Sequence, residues 1–251
     1  MEGMIHPTAN LAADVQVGTW VHIGANVTIG KGARIGNFAV IHADTTIGAN
    51  VTIGDNSVIG KVPTRAAIST LKPKELPPAA ISDGVVIGAL AVVYRGSKLG
   101  EGVMVADLAS IREDVEIGKF TIVGRGVAIE NDTRIGNYVK VETNAYVTAH
   151  TRIEDRCFIA PMVTMTNDNF LGRTEERFKY TKGPTLKKGA RIGANATLMP
   201  GITVGEDAVV AAGSLVKQDV PPRMIVAGVP AGIFRDTPKE QLVENQGYPA
   251  D

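Results

Sequence analysis

Residues 21–60 read VHIGANVTIGKGARIGNFAVIHADTTIGANVTIGDNSVIG, and a large aliphatic falls on every sixth position: Ile23, Ile29, Ile35, Ile41, Ile47, Ile53 and Ile59. Stepping back in the same phase adds Val17, Leu11 and Ile5. Two residues before each aliphatic sits a smaller side chain: Val21, Val27, Ala33, Ala39, Thr45, Val51. A glycine often follows it, as at Gly24, Gly30, Gly36, Gly48 and Gly54. An α-helix turns every 3.6 residues and cannot use a period of six. A short pleated strand plus a turn can, because residues two apart in a strand point the same way. Glycine then marks the place where the chain turns without a Cβ clash. Stacked coils of this kind pair edge to edge, and each buries its neighbour.

The phase breaks after Ile59 and restarts at Ile87, running through Val93, Leu99, Val105, Ile111, Ile117, Val123, Ile129, Ile135, Val141, Val147, Ile153 and Ile159 to Met165. A third run holds Leu186, Ile192, Leu198, Val204, Val210 and Val216. At the chain's hydrophobic content, fourteen consecutive hits have a chance of roughly one in 10⁵, so the repeat is real. The expected organisation is a first β-helix segment over 1–60, an extruded loop over 61–84, a second segment over 85–217 with a loop at 167–185, and a C-terminal extension over 218–251. The first loop, KVPTRAAISTLKPKELPPAAISDG, carries four prolines and four basic residues, which suits a basic lid over a phosphate-bearing ligand. The second carries Arg173, Arg177, Lys179 and Lys182. In the extension, Thr237-Pro238-Lys239-Glu240 has the signature of a helix start, with Thr237 as N-cap.

Composition narrows the function. With 26 basic and 26 acidic residues there is no electrostatic footprint for nucleic acid or an anionic membrane. No apolar run approaches the ~18 residues of a membrane span. The single cysteine, Cys157, excludes an intrachain disulfide and suits a reducing, cytoplasmic compartment. The four histidines, His6, His22, His42 and His150, lack the spacing of a three-histidine zinc site, so no metal is expected.

Repeats such as VTIGKG, ARIGNF and VTIGDN resemble those of the hexapeptide-repeat acyltransferases. The resemblance implies an all-β, left-handed parallel β-helix with three hexads per triangular coil. Thirty hexads then make about ten coils, roughly 48 Å long at ~4.8 Å per coil. It also implies a homotrimer with active sites between neighbouring prisms. If a coil is 18 residues, positions 18 apart stack on one edge. One edge reads Gly100, Gly118, Gly136, Glu154, mostly glycine; another reads Gly88, Ala106, Gly124, Glu142, Ala160. The third has no glycine: Arg112, Glu130, Thr148, Thr166, then Glu113, Asn131, Ala149, Asn167, then Asp114, Asp132, His150, Asp168. Polar groups thus converge on this edge and its neighbour, where Asp107 stacks on Arg125.

Residues 190–216, with the following DVPPRMIVAGVPAGIFR, resemble the C-terminal end of the CoA-dependent members. That likeness implies acyl-CoA as co-substrate, with no permanently bound cofactor. Its pantetheine arm would lie against Gly193–Ala194 and Ala211–Ala212, and Lys217 and Arg235 would meet its phosphates. Gln218 and Gly232 stand where lysines are usual. The stretch ADLASIREDVEIG…IAPMVTMTNDNF resembles the branch that N-acylates amino-deoxy sugars linked to dTDP or UDP. The histidine that O-acetylating branches carry near 168–170 is absent, which suits an amine acceptor. On this reading Asp107 and Glu113 hold the sugar amine and handle its proton, and Arg125, Asn131, Glu142, Asn144, Arg112 and Glu130 bind the sugar or nucleotide. The alternatives are an O-acetyltransferase using His150 and a non-catalytic trimeric scaffold.

Overall fold

In each hexad, two residues form a strand whose first side chain points out and whose second points in, as in His22–Ile23. In the computed structural model, which describes residues 4–64, 66–67 and 74–248, these strands pair in parallel with those one coil away. His22 lies beside Val40 and Ile23 beside Ile41, a step of 18. Among the described residues this makes three sheets, of 11, 10 and 12 strands. We call them face A (Met4–Ile5, His22–Ile23 and onward), face B (Asn10–Leu11, Thr28–Ile29) and face C (Gln16–Val17, Arg34–Ile35). The chain visits A, B and C in each coil, so the prism has an A–B, a B–C and a C–A corner. This is the expected all-β hexapeptide β-helix.

The two inward columns fill the prism. Ile23, Ile29, Ile41, Ile47, Ile53 and Ile59 are fully buried, and so are their small companions Val21, Val27, Ala33 and Ala39. Where the companion is polar, a corner carbonyl satisfies it: Thr45 Oγ1 donates to His42 O at 2.7 Å and Ser57 Oγ to Gly88 O at 2.7 Å. Glycine follows the aliphatic because coils approach closely there. A Cβ on Gly24 would lie 2.7 Å from Ala43 N. The left-handed turn itself falls two residues later, on Asn26, Phe38, Asp44 and their equivalents, with φ of 57–64° at these three.

Two expectations change. The prism resumes one hexad earlier than Ile87. Ala80–Ile81 pairs with Thr46–Ile47 on one side and Lys98–Leu99 on the other, and Ile81 is buried. The first insertion therefore leaves after Val58–Lys61 on face A and is back by Ala79. The second leaves after Thr164–Met165, also on face A, makes one helical turn at Arg177–Tyr180, and returns at Thr185–Leu186 on face B. Both insertions thus emerge from the A–B corner.

The C-terminal extension is not a simple exit followed by a helix. Met224–Gly228 joins face C beside Val209–Val210, then turns back as a hairpin with Ala231–Asp236. Thr237 does not cap a helix. Its hydroxyl donates to Asp207 O at 3.1 Å, and only two 3₁₀ turns follow, Lys239–Gln241 and Val243–Asn245. Among the described residues no helix is long and apolar enough to cross a membrane.

Candidate functional site

The A–B corner gathers the polar residues that lie between the two insertions. On face A, the outward column next to this corner runs Tyr94, Arg112, Glu130, Thr148, one residue per coil. Beside it runs a second outward column, Val92, Ser110, Ala128, Tyr146. Small side chains at Ser110 and Ala128 leave open ground next to Arg112 and Glu130. Tyr94 and Tyr146, which sequence reasoning missed, wall that ground at either end. The available signal was their size at outward strand positions, where Thr, Lys and Arg are the common occupants here.

Charges in this column are tightly organised. Arg112 holds Glu113 bidentately, Nε to Oε2 at 2.8 Å and Nη2 to Oε1 at 3.1 Å. Its guanidinium carbon lies 5.0 Å from the Tyr94 ring centroid, and Lys61 Nζ lies 5.3 Å from the same centroid. Arg112 Nη1 is 3.7 Å from Glu130 Oε2, too far for a hydrogen bond. Burial pushes the Glu130 carboxyl above its ordinary value; Arg112 opposes this and the Glu113 charge reinforces it. Burial likewise raises the Tyr146 phenol, with the Glu130 charge as the next cause.

Each insertion is pinned to this corner. Arg95 donates to Leu76 O at 2.9 Å, to Ala43 O at 3.0 Å and to Asp44 Oδ2 at 3.1 Å, so it staples the returning limb of the first insertion. Lys74 reaches Asp114. Of the basic residues expected to form a lid, Arg65 and Lys72 lie outside the described residues. The second insertion is organised by Asp168. It accepts the Phe170 N–H at 2.8 Å, the Gly172 N–H at 2.9 Å and Arg177 Nη1 at 2.9 Å. These bonds, the Gly172 N–H first, hold its carboxyl below the usual range. Phe170 stacks on Tyr180 at 5.9 Å. His150 sits on the corner in a left-handed conformation, with Nδ1 3.9 Å from Asp132 Oδ2.

Asp107 lies elsewhere. It is on the C–A corner, separated from Glu113 by the strand Ser110–Ile111, so the chain does not bring this proposed pair together. Its Oδ1 accepts the Ala89 N–H of the preceding coil at 2.8 Å. The same hexad position caps the preceding coil at Asn37, Asp55, Asp83, Asn137 and Asp155, at 2.6–2.9 Å. The stacking of Asp107 on Arg125 is present, but among the described residues no ion pair joins them. A structural cap is therefore the role its geometry supports. Arg125, Glu142 and Asn144 share this C–A corner. Asn144 takes the left-handed position there, and its N–H donates to Arg125 O at 2.9 Å.

Gly193, Ala194, Ala211 and Ala212 continue the C–A corner toward the C-terminal end. A Cβ on Gly193 would lie 2.5 Å from Ala212 N, so this glycine is required by coil packing itself. Ala212 occupies the hexad position where Asn or Asp caps other coils. With a methyl there, no cap among the described residues reaches the Ala194 N–H, and a small shelf remains, half-buried at Ala194 and exposed at Ala212. Lys217 follows Leu215–Val216, the last strand of face A, on its A–B side, and Arg235 stands on the hairpin opposite Ile225.

The bacterial transferase hexapeptide (six repeats) family matches residues 26–61, 132–167 and 183–218. Galactoside O-acetyltransferase from Escherichia coli (strain K12) is 34% identical over 87 residues, 34% of this chain and 43% of that protein. A 2,3,4,5-tetrahydropyridine-2,6-dicarboxylate N-acetyltransferase from Staphylococcus aureus (strain JH9) is 48% identical over 50 residues, 20% of this chain and 21% of that one. The chain thus spans less than half the length of either relative. Among solved structures, PerB from Caulobacter crescentus in complex with CoA and GDP-perosamine is 25% identical, with a TM-score of 0.39, over 60% of this chain and 56% of that one. The chain thus carries the bacterial transferase hexapeptide repeat in three matched blocks, set on a sixfold register that runs through three faces and is broken only by the two insertions among the described residues.

Proposed function

We propose that the chain is an acyl-CoA-dependent N-acyltransferase whose acceptor is the amino group of a nucleotide-linked amino-deoxy sugar. The observation that carries this is the charged ground on face A, bracketed by two insertions that leave the same corner. Arg112, Glu130 and Asn131 offer a cation, a carboxylate and an amide to a polar acceptor, and the tyrosines offer faces to its rings. The shelf at Ala194 and Ala212 suits a pantetheine arm, because small side chains let it approach the backbone. Lys217 and Arg235 are the cations proposed for its phosphates. The shelf lies on the C–A corner at the C-terminal end of the prism and the charged ground on the A–B corner along the middle strands of face A, so a neighbouring copy in a homotrimer would supply the missing half of each site.

Transfer needs no covalent intermediate. The amine attacks the thioester carbonyl, the C–N bond forms and CoA leaves as thiol. Proximity supplies much of the acceleration, and a backbone N–H would steady the oxyanion. An amine is a competent nucleophile once neutral. The His150–Asp132 separation of 3.9 Å gives no hydrogen-bonded pair to activate a hydroxyl, which favours the amine over the O-acyl alternative. The test is calorimetric titration with CoA, followed by thiol release with dTDP- and UDP-linked amino sugars and their hydroxyl counterparts. Saturable binding near one CoA per chain and turnover confined to the amines are expected. Turnover of the hydroxyl sugars alone would sink the reading.

A further inference from the structure

Four carboxylates face the space between the insertions, and three are committed. Glu113 is held bidentately by Arg112. Asp114 is taken by Lys74. Asp132 accepts Asn131 Nδ2 at 2.8 Å and has His150 at 3.9 Å. The Glu130 carboxylate accepts no hydrogen bond among the described residues; its nearest cation there is Arg112 at 3.7 Å. It stands beside the open ground over Ala128, with Tyr146 beyond it, and 26% of its side-chain surface is exposed.

We infer that Glu130 accepts the proton of the attacking ammonium, an inference that rests on the N-acyltransferase reading. The electrostatics around it are arranged for this task. Arg112, from the preceding coil, is held by Glu113 and stands too far from Glu130 to hydrogen-bond it, so its charge favours the ionised form without outweighing burial. Burial, and to a lesser extent the Glu113 charge, favour the protonated form. Tyr94 lies beyond Arg112, on the far side from Glu130. On the following coil Tyr146 keeps its proton and presents a neutral neighbour. Along the corner, Asp132 accepts Asn131 Nδ2 and has His150 3.9 Å away, and neither Asp132 nor His150 forms an ion pair with Glu130 among the described residues; Lys74 is taken by Asp114.

The balance is simple. The substrate ammonium gives one proton to the Glu130 carboxylate and becomes a neutral amine. Its nitrogen forms the C–N bond to the thioester carbonyl, then loses a second proton as the C–S bond breaks. One of the two protons ends on the departing thiolate and the other passes to water, which restores the carboxylate. The products are an amide, free CoA thiol and one released proton.

The test is kcat against pH, from about 5.5 to 9, for the full chain, E130Q and E130D, using thiol release with a panel of dTDP- and UDP-linked amino sugars. For the wild type, kcat falls on the acid side as Glu130 becomes protonated. E130Q is expected to lose about 100-fold or more in kcat at pH 7, with KM for acyl-CoA unchanged. Its rate then rises tenfold per pH unit toward the pKa of the free amine. E130D recovers part of kcat and the acid limb. A wild-type kcat with no acid limb overturns the inference, and this readout does not depend on a variant folding. So does an E130Q enzyme within threefold of wild type with the same profile, while the N-acyltransferase reading stands. Wild type inactive on every amino sugar overturns the reading itself and this inference with it.

Discussion

The C–A and A–B corners bound the same face and use the same hexad positions, yet they spend their side chains differently. Two residues after the inward aliphatic, the C–A corner places Asn37, Asp55 and Asp107, and each carboxylate or amide oxygen accepts a backbone N–H from the preceding coil. At the identical position on the A–B corner stand Glu113 and Asn131. Glu113 bonds Arg112 and Asn131 bonds Asp132, side chain to side chain. A cap is a fixed structural expense of stacking coils. A side-chain network that faces outward between two insertions can be rearranged around a ligand. The polar character is equal, and the backbone contact separates structure from function.

The most damaging way to probe this comparison is to remove the floor that both corners share. Ile111 is fully buried under face A, between Asp107 and Glu113 in the chain. Ile111→Ala should cost about 3 kcal/mol, the lost transfer energy plus the cavity. Urea unfolding of the full chain measures it. A loss under about 1 kcal/mol would mean that the coils collapse easily around a void and that face A is not a rigid platform.

The comparison itself is broken or kept by a pair of substitutions. Asp107→Ala removes a cap at 2.8 Å and should lower stability by about 1 kcal/mol. It should leave kcat/KM within threefold. Glu113→Ala removes no backbone bond. It should leave stability within about 0.5 kcal/mol and lower kcat/KM by at least about tenfold, since the freed Arg112 turns to Glu130 and holds it ionised. Melting curves and thiol release on the same preparations measure both. The opposite pattern, an inactive Asp107→Ala and an active Glu113→Ala, would move the site to the C–A corner.

These two residues also mark where sequence reading stops. The period of six carried the fold, and the step of 18 carried the columns: Arg112 does stack near Glu130, and Asp132 near His150. The step does not say whether an oxygen reaches back to the preceding coil or sideways to its neighbour. That choice rests on one side-chain torsion. Ile81 was passed over because the proline-rich segment before it carries no repeat to set the phase. The hairpin at 224–236 was hidden by Gly228-Val229-Pro230, which reads as an irregular exit. The helix signal at Thr237 was overridden when Asp207 O claimed its hydroxyl.

The smallest expected effect concerns how firmly the second insertion is held to the A–B corner. Asp168 accepts two loop N–H groups and Arg177, and its carboxyl is held below the usual aspartate range, the Gly172 N–H being the first cause. A depressed carboxyl contributes order that is fully present above its unfolded pKa, near 3.9, and is lost as pH falls through the lower folded value. The insertion should therefore stay ordered at pH 5 and loosen only below the ordinary aspartate pKa, while the prism, held by apolar coils, keeps its protection. Hydrogen exchange at a series of acid pH values, corrected for intrinsic rates, reads this at Phe170 and Gly172 against Ile192 in the prism. Asp168→Asn keeps an acceptor for one N–H but cannot hold both N–H groups and Arg177 as a carboxylate does, so its exchange at pH 7 should resemble that of the wild type at low pH. If Phe170 and Gly172 exchange equally fast in the two proteins at pH 7, Asp168 does not organise the insertion. The A–B corner would then owe its bracketed shape to the chain path alone.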